Sequence, residues 1–532
     1  MTKVRLGLLL LVAVSIGLFL TTSVRAEPPG GEGEEGEKTS IAPFAAIKHV
    51  RHGWSFECTA ASGGVNTRLD CDDPFPNNEP HIVVDAANPQ HMIASSNDYG
   101  SCCDQYYTTF NGGATWSTGN MSVEDPRRTG SDPVTAIDVK HNVALHSSLN
   151  YKFRPDGEAC DGDVVVSPSY DGGLSWARPV VVYSGNGCDL DATQIFNDKE
   201  WITTDNKPSS PFYGRTYLTW SAFVSHGGEY ASSAIWEAHS DDGGQHWSAA
   251  KAISGSNAAI CTFQEDGPAG VCDENQFSVP AVAPDGTVYV AFQNSQNTSL
   301  WETGEVNDDQ YLLVKSSNGG TTWSSPSFIV GLEDGSRDYP INESDRQTLT
   351  GYQVRVNSAG NIVVGTDGKL YLVFSDNRNG THDSATPVTN TDVFLMSLAS
   401  GSSTWTAPVL VDTGGGDQWF PWVDVNPLTG AIGIIYHDRG VSNGPTYNTA
   451  LAEGTPGLLV KTVLNTAPSN PTMSEFFQAG SATCEFCALF HGDYISVAYG
   501  NDGHANTVWT DMRDPSTFTA GLFLQFIYYA RK

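Results

Sequence analysis

The sequence predicts an all-β chain folded as a single β-propeller, with seven blades the favoured count. Two observations carry that reading. Four segments repeat a glycine-rich turn followed by tryptophan: TFNGGATW (Thr109–Trp116), SYDGGLSW (Ser169–Trp176), SDDGGQHW (Ser240–Trp247) and SSNGGTTW (Ser316–Trp323). A longer unit recurs around them, in copies beginning near Glu79, Asp132, Lys199, Gln276, Val354, Gln418 and Asp493. Each copy has a polar start, an apolar strand, a turn and a second strand that ends in polar or aromatic residues. Length alone, at 532 residues, suggests two to four domains. Short β-branched and aromatic strands at a period of about 50 to 80 residues instead indicate blades that bury their faces against one another.

Each element of the short repeat has a mechanical role. The Asp or Asn at its third place caps the backbone N–H groups of a tight turn, the Gly pair supplies positive φ, and the Trp opens the returning strand and buries its ring. The last long unit contains only three strands, ISVAY, NTVWT and LFLQFIYYA. Its fourth is expected from the stretch between Phe44 and Phe56, which would close the ring and remove exposed sheet edges.

The four segments resemble the Asp-box, Ser-x-Asp-x-Gly-x-Thr-Trp, of the sialidase (neuraminidase) superfamily of BNR-repeat propellers. The resemblance implies boxes between the third and fourth strands of blades, on the face opposite the active site, so the acids of SDDGGQHW are structural. Sialidases have six blades, which makes six the alternative count here.

The N-terminus has Lys3 and Arg5, an apolar run from Leu6 to Leu20 and then Val24-Arg25-Ala26. Residues 1–26 therefore read as a signal peptide, 27–43 as an acidic Gly/Pro/Glu linker and 44–532 as the propeller. Secretion to the extracellular space follows, with the periplasm as the alternative. An uncleaved anchor is disfavoured because the run is shorter than the roughly 20 residues that span a bilayer. No later segment is long enough to do so, which leaves no membrane partner after signal removal. Without the signal, 25 basic residues face 60 acidic ones. This excludes nucleic acid as a partner, and an anionic substrate needs arginines gathered in a cleft. A monomer is expected. Ten cysteines in an exported chain read as disulfides, with Cys160–Cys188 and Cys261–Cys272 the nearest pairs; Cys484 and Cys487 form a lone CxxC.

In this topology, first-strand starts and second-strand ends meet on the face away from the boxes. Second strands end at Asp98, Asp376 with Arg378, Asp438 with Arg439, and Asp511 with Arg513. First strands start with Glu79, Glu200, Trp201, Arg355, Trp419, Asp493 and Tyr494. Neighbouring Asp and Arg residues also serve to tie blades together, whereas Arg355 has no acid close in sequence. Trp201 and Trp419 suit sugar stacking, and Trp422 suits a blade interface.

By resemblance, Tyr494 of DYISVAY is the nucleophile. Asp98 or Asp104 is the acid/base, and Glu200 or Glu79 assists. Arg355, Arg378, Arg439 and Arg513 bind a substrate carboxylate. Glu79-Pro80-His81 stands where sialidases open their first blade with Arg-Ile-Pro. The expected function is a sialidase-like exo-glycosidase on a glycan or glycoconjugate, with sialosides the first substrate. A non-catalytic glycan- or protein-binding propeller and a two-carboxylate glycosidase on neutral polysaccharide, for example with Asp98 and Asp438, are the alternatives. No cofactor is required and no metal site is assigned. Calcium (Ca) is a possible structural ion at DGEACDGD or CDLDATQIFND.

Overall fold

A computed structural model describes residues 55–59, 65–71, 75–99, 103–155, 159–264, 267–295, 309–335, 337–341, 347–383, 385–474, 490–515 and 523–532. Apart from one 3-10 turn at Pro471–Met473, the regular structure among them is β-sheet. Seven antiparallel sheets form seven blades, numbered here in chain order. Their first strands are Asn77–Val84, Thr129–Asp138, Thr193–Thr204, Asn275–Val282, Ile362–Val364, Gln418–Val425 and Ser496–Tyr499. In blades 2 to 6 the four strands pair in sequence order outward from the first, as an up-and-down meander; blades 1 and 7 each add a strand from the N-terminal end of the described chain.

The ring closes differently from expectation. The fourth strand of blade 7 is Thr67–Arg68, paired with Tyr528–Tyr529. The Leu69 N–H extends the pairing to the Ile527 carbonyl. The earlier segment, Ser55–Thr59, is instead a fifth strand on the outside of blade 1, paired with Thr115–Gly119. Both belong to one continuous stretch of chain. The pairing registers, invisible in a short strand such as Thr67–Arg68, decide which part closes the ring.

The four Gly-Gly turns join third to fourth strands in blades 1 to 4. In blade 3 the Asp242 carboxylate accepts the N–H groups of Gln245 (3.1 Å) and His246 (2.9 Å), while the Ser240 hydroxyl accepts the Gly244 N–H. Both glycines have positive φ, 72° and 79°. A Cβ on Gly244 would press to 2.7 Å from the Leu145 side chain of blade 2. The turn thus locks a blade to its predecessor. Blade 2 does the same, since the Gly172 carbonyl receives the His91 ring of the blade 1 turn at 2.9 Å. All four turns lie at the end of the blades where first strands finish, here called the turn face. The tryptophans pack at the seams: Trp116 is 1% exposed and meets Tyr529 edge-on at 5.0 Å.

Cys160–Cys188 and Cys261–Cys272 are disulfides, and Cys71 and Cys103 are also disulfide-bonded. Cys484 and Cys487 lie outside the described residues.

Two outcomes are expected. Asp242→Ala removes the acceptor of two backbone N–H groups and should lower stability by about 1–3 kcal/mol in denaturant titration. Binding at the opposite face should not change. The second concerns pH. Burial lifts the Asp70 carboxyl to about 7 against the pull of Arg68, and lifts Asp424, which takes the Tyr499 N–H across the seam of blades 6 and 7, to about 6. At these two positions the folded chain holds more protons than the unfolded chain from the ordinary carboxyl value of about 4 up to these values, so their contribution to stability falls as pH rises through that window, whereas His81 and His491, whose rings burial holds down to about 3, act in the opposite direction. Calorimetry should find that Asp70→Asn shifts the difference between Tm at pH 7 and Tm at pH 5 upward relative to wild type. A difference unchanged by Asp70→Asn would contradict this.

Candidate functional site

The first strand of a blade runs along the ring axis, and five of the seven carry the same irregularity. Register shifts fall between Asn78 and His81, Ser131 and Val134, Asp198 and Trp201, Gln276 and Val279, and Trp419 and Trp422. Within each lies one non-glycine residue in the left-handed region: Glu79, Asp132, Lys199, Phe277 and Phe420, with φ between 53° and 57°. Blade 7 places Gly492 (φ 86°) two residues before Tyr494. A bulge re-aims the side chains around it, and left-handed backbone at a non-glycine costs about 1–3 kcal/mol.

These equivalent positions make a two-sided rim at the end of the axis away from the turn face. Blades 1 to 3 contribute Glu79, Asp132 and Lys199; blades 4 and 6 contribute Phe277 and Phe420. Just inside, Trp201 and Trp422 lie 4.5 Å apart between ring centroids, and Trp201 meets Tyr494 at 5.2 Å and His81 at 5.2 Å. This aromatic layer divides the axis. On the rim side a pocket with about 20 Å³ of free space, room for one water, is lined by Lys199, Phe277, Phe420, Asp493, Tyr494 and the two indoles. On the turn side is a polar chamber of about 320 Å³.

The charged half of the rim is out of balance. The Lys199 ammonium lies 4.0 Å from the Asp132 carboxylate and 3.8 Å from the Tyr494 ring. Around it are Glu79, Asp132, Asp198 and Glu200, all buried. Burial, and then Asp132, pushes the Glu200 carboxyl well above the ordinary range. Among the described residues, neither Glu200 oxygen has a hydrogen-bond partner. The Glu79 carboxyl is also raised, by burial opposed by Lys199, and it accepts from Asn97 at 2.8 Å. The Tyr494 hydroxyl, likewise without a hydrogen-bond partner among the described residues, is held protonated by burial and by Glu79, Asp132, Glu200 and Asp104. Asp104 hydrogen-bonds His146 at 3.3 Å, and burial raises its carboxyl too.

The remaining expected residues are placed elsewhere or already paired. Asp98 faces into its own sheet, accepting from Asn120 at 2.7 Å. Trp419 is fully buried among Tyr447, His437 and His491, while Trp422 lines the axis. Arg355 reaches the rim, but its guanidinium is held by Asp493 of blade 7 at 2.6 Å. Arg378 pairs with Asp376 and donates to the Gly331 carbonyl of blade 4. Arg439 pairs with Asp417, at 2.7 Å, and not with the adjacent Asp438, which takes Lys461. Arg513 joins Asp511, Asn66 and Thr466. In the acidic loops, Asp161 and Asp163 share Arg128, and Asp189 caps its own turn.

Asp132, Lys199, Phe277 and Phe420 escaped the sequence reading because a bulge adds a residue that strand alternation does not reveal. The triplets Glu79-Pro80-His81, Asp132-Pro133-Val134, Lys199-Glu200-Trp201, Phe277-Ser278-Val279 and Phe420-Pro421-Trp422 could have been aligned on their last residue. That alignment puts Trp422 level with Trp201.

No protein-family model matches the sequence, and no curated protein matches it. Similar solved structures include a protein of unknown function from Dyadobacter fermentans, with 11% identity, TM-score 0.44 and coverage of 77% of this chain and 96% of that one. An α-L-arabinofuranosidase from Fusarium graminearum has 11% identity, TM-score 0.44 and coverage of 74% and 98%. A sialidase from Streptococcus pneumoniae has 9% identity, TM-score 0.40 and coverage of 92% and 96%. The likeness is one of fold alone, and the seven-bladed ring rests on the chain's own hydrogen-bonded sheets.

Proposed function

We propose that the protein is an exported glycoside hydrolase that acts at the rim end of the axis on a terminal, uncharged sugar. The observation that carries this reading is the two-sided rim, in which one strained backbone position reads Glu, Asp and Lys on one side and Phe and Phe on the other. A sugar ring has the matching form, with hydroxyls at its edge and an apolar face for aromatic rings. Lys199, Phe277 and Phe420 are the side chains that must swing outward to admit it.

The chemistry follows from unequal environments. Glu200, whose carboxyl burial raises well above the ordinary range, suits the acid that protonates the leaving oxygen. Asp132, with the Lys199 ammonium beside it, suits the carboxylate that activates water or attacks. The Tyr494 hydroxyl, which has no hydrogen-bond partner among the described residues, would donate to the bound substrate. An uncharged substrate is favoured over a sialoside because Arg355, Arg378, Arg439 and Arg513 are each already paired with a carboxylate.

One observation favours the sialoside reading: the Tyr494 hydroxyl is within electrostatic reach of Glu79, Glu200 and Asp104. There Tyr494 would attack, the Glu79 carboxylate beside Lys199 would take its proton, Asp104 would protonate the leaving group, and Arg355 would exchange Asp493 for the substrate carboxylate.

A fluorogenic sialoside and a panel of neutral aryl glycosides, each with the wild type, Glu200→Gln and Tyr494→Phe, separate the readings. Turnover of a neutral glycoside is expected, falling by about 10²–10⁴-fold in Glu200→Gln and by about ten-fold or less in Tyr494→Phe. Sialoside turnover abolished by Tyr494→Phe would establish the second reading. Glycan binding without turnover of any substrate would make the protein a binding propeller.

A further inference from the structure

We propose that Glu333, Asp338 and His382 form a binding site for a divalent first-row transition-metal ion, on the rim face but separate from the axial site. Glu333 and Asp338 lie in the connection from blade 4 to blade 5, and His382 lies in the loop after the second strand of blade 5. One donor atom of each falls within 4.8 Å of the other two. The His382 Nδ1 hydrogen-bonds the Asp338 carboxylate and lies 3.9 Å from a Glu333 carboxylate oxygen. Ligands on a tetrahedral ion with bonds of about 2.0–2.1 Å are separated by roughly 3.3 Å. To admit an ion the His382 and Glu333 donors would close by about 0.6 Å and the His382 and Asp338 donors would part, movements open to the two partly exposed side chains.

The donors are held in place from behind by one strand end. The Glu333 N–H donates to the Asp376 carboxylate (3.1 Å), and the Asn377 N–H donates to the Glu333 carbonyl (3.0 Å). The Asn377 side-chain amide donates to the Asp338 carbonyl. The second Asp338 oxygen accepts the Gly335 N–H at 2.8 Å, which fixes the carboxylate plane, and the Asp383 N–H ties the His382 loop to the Arg337 carbonyl. Such outer bonds orient ligands before an ion arrives. Two carboxylates and one neutral imidazole balance a dication. The imidazole selects zinc over calcium, whose ligands are oxygens. Asp338 is fully buried, whereas Glu333 and His382 are 41% and 36% exposed at their side chains, so the remaining coordination positions open to solvent.

The test is isothermal titration of the metal-free protein with zinc, using His382→Ala and Glu333→Gln. Both side chains are partly exposed, so neither substitution disturbs the core. His504→Ala, at an exposed histidine of blade 7, is the control. One tight equivalent is expected for wild type and for His504→Ala, weakened at least ten-fold in each of the other two variants. Zinc should raise Tm in wild type and not in His382→Ala. The proposal is overturned if the tight equivalent survives both substitutions, if wild type binds no stoichiometric zinc, or if calcium binds more tightly than zinc.

Discussion

Everything in this molecule depends on a short piece of backbone pairing. Thr67 and Arg68, from near the start of the described chain, pair with Tyr528 and Tyr529 at its end and so complete blade 7. Two residues of ladder are little on their own, and side chains reinforce them. The Arg68 guanidinium stacks 3.3 Å over Phe526, the Asp70 carboxylate takes the Ile527 N–H at 2.9 Å, and the Thr118 hydroxyl of blade 1 reaches the Leu69 carbonyl. A ring shares its strain among all seams, and one open seam exposes a sheet edge and the axis together. The axial residues keep their places only while this clasp holds.

The fold was legible because its signals are local. Ser240, Asp242, Gly243, Gly244 and Trp247 specify a turn by backbone chemistry that acts within eight residues, and such chemistry can be read without knowing its neighbours. Cys160 with Cys188 and Cys261 with Cys272 were legible for the same reason, being close in sequence. The clasp was harder. Choosing between the stretch up to Phe56 and Thr67–Arg68 requires pairing registers over more than 400 residues of separation. The axial site was legible in part. Tyr494, Glu200 and Trp201 announce themselves as polar or aromatic residues at strand starts. The partner of Arg355, in contrast, is Asp493, 138 residues away. The exchange of Trp419 and Trp422 turns on a bulge, which no alternation pattern displays.

Electrostatics sets the character of the axis. Four buried carboxyls of blades 1 to 3 surround one ammonium, so their charges cannot all be expressed at once and protons must be shared among them. Aromatic side chains close the other half of the circumference and keep the dielectric low. The same construction costs stability and sharpens differences in acidity between neighbours, which is the condition under which paired acids take different roles.

The layer formed by Trp201, Trp422, Tyr494 and His81 means that the axis is not a passage. Molecules arriving at the rim and molecules arriving at the turn face meet opposite sides of one aromatic wall. The two faces are therefore separate compartments on a common frame. Loop substitutions at one face can accumulate without negotiation with the other, and the chamber of about 320 Å³ behind the wall belongs to the turn-side compartment.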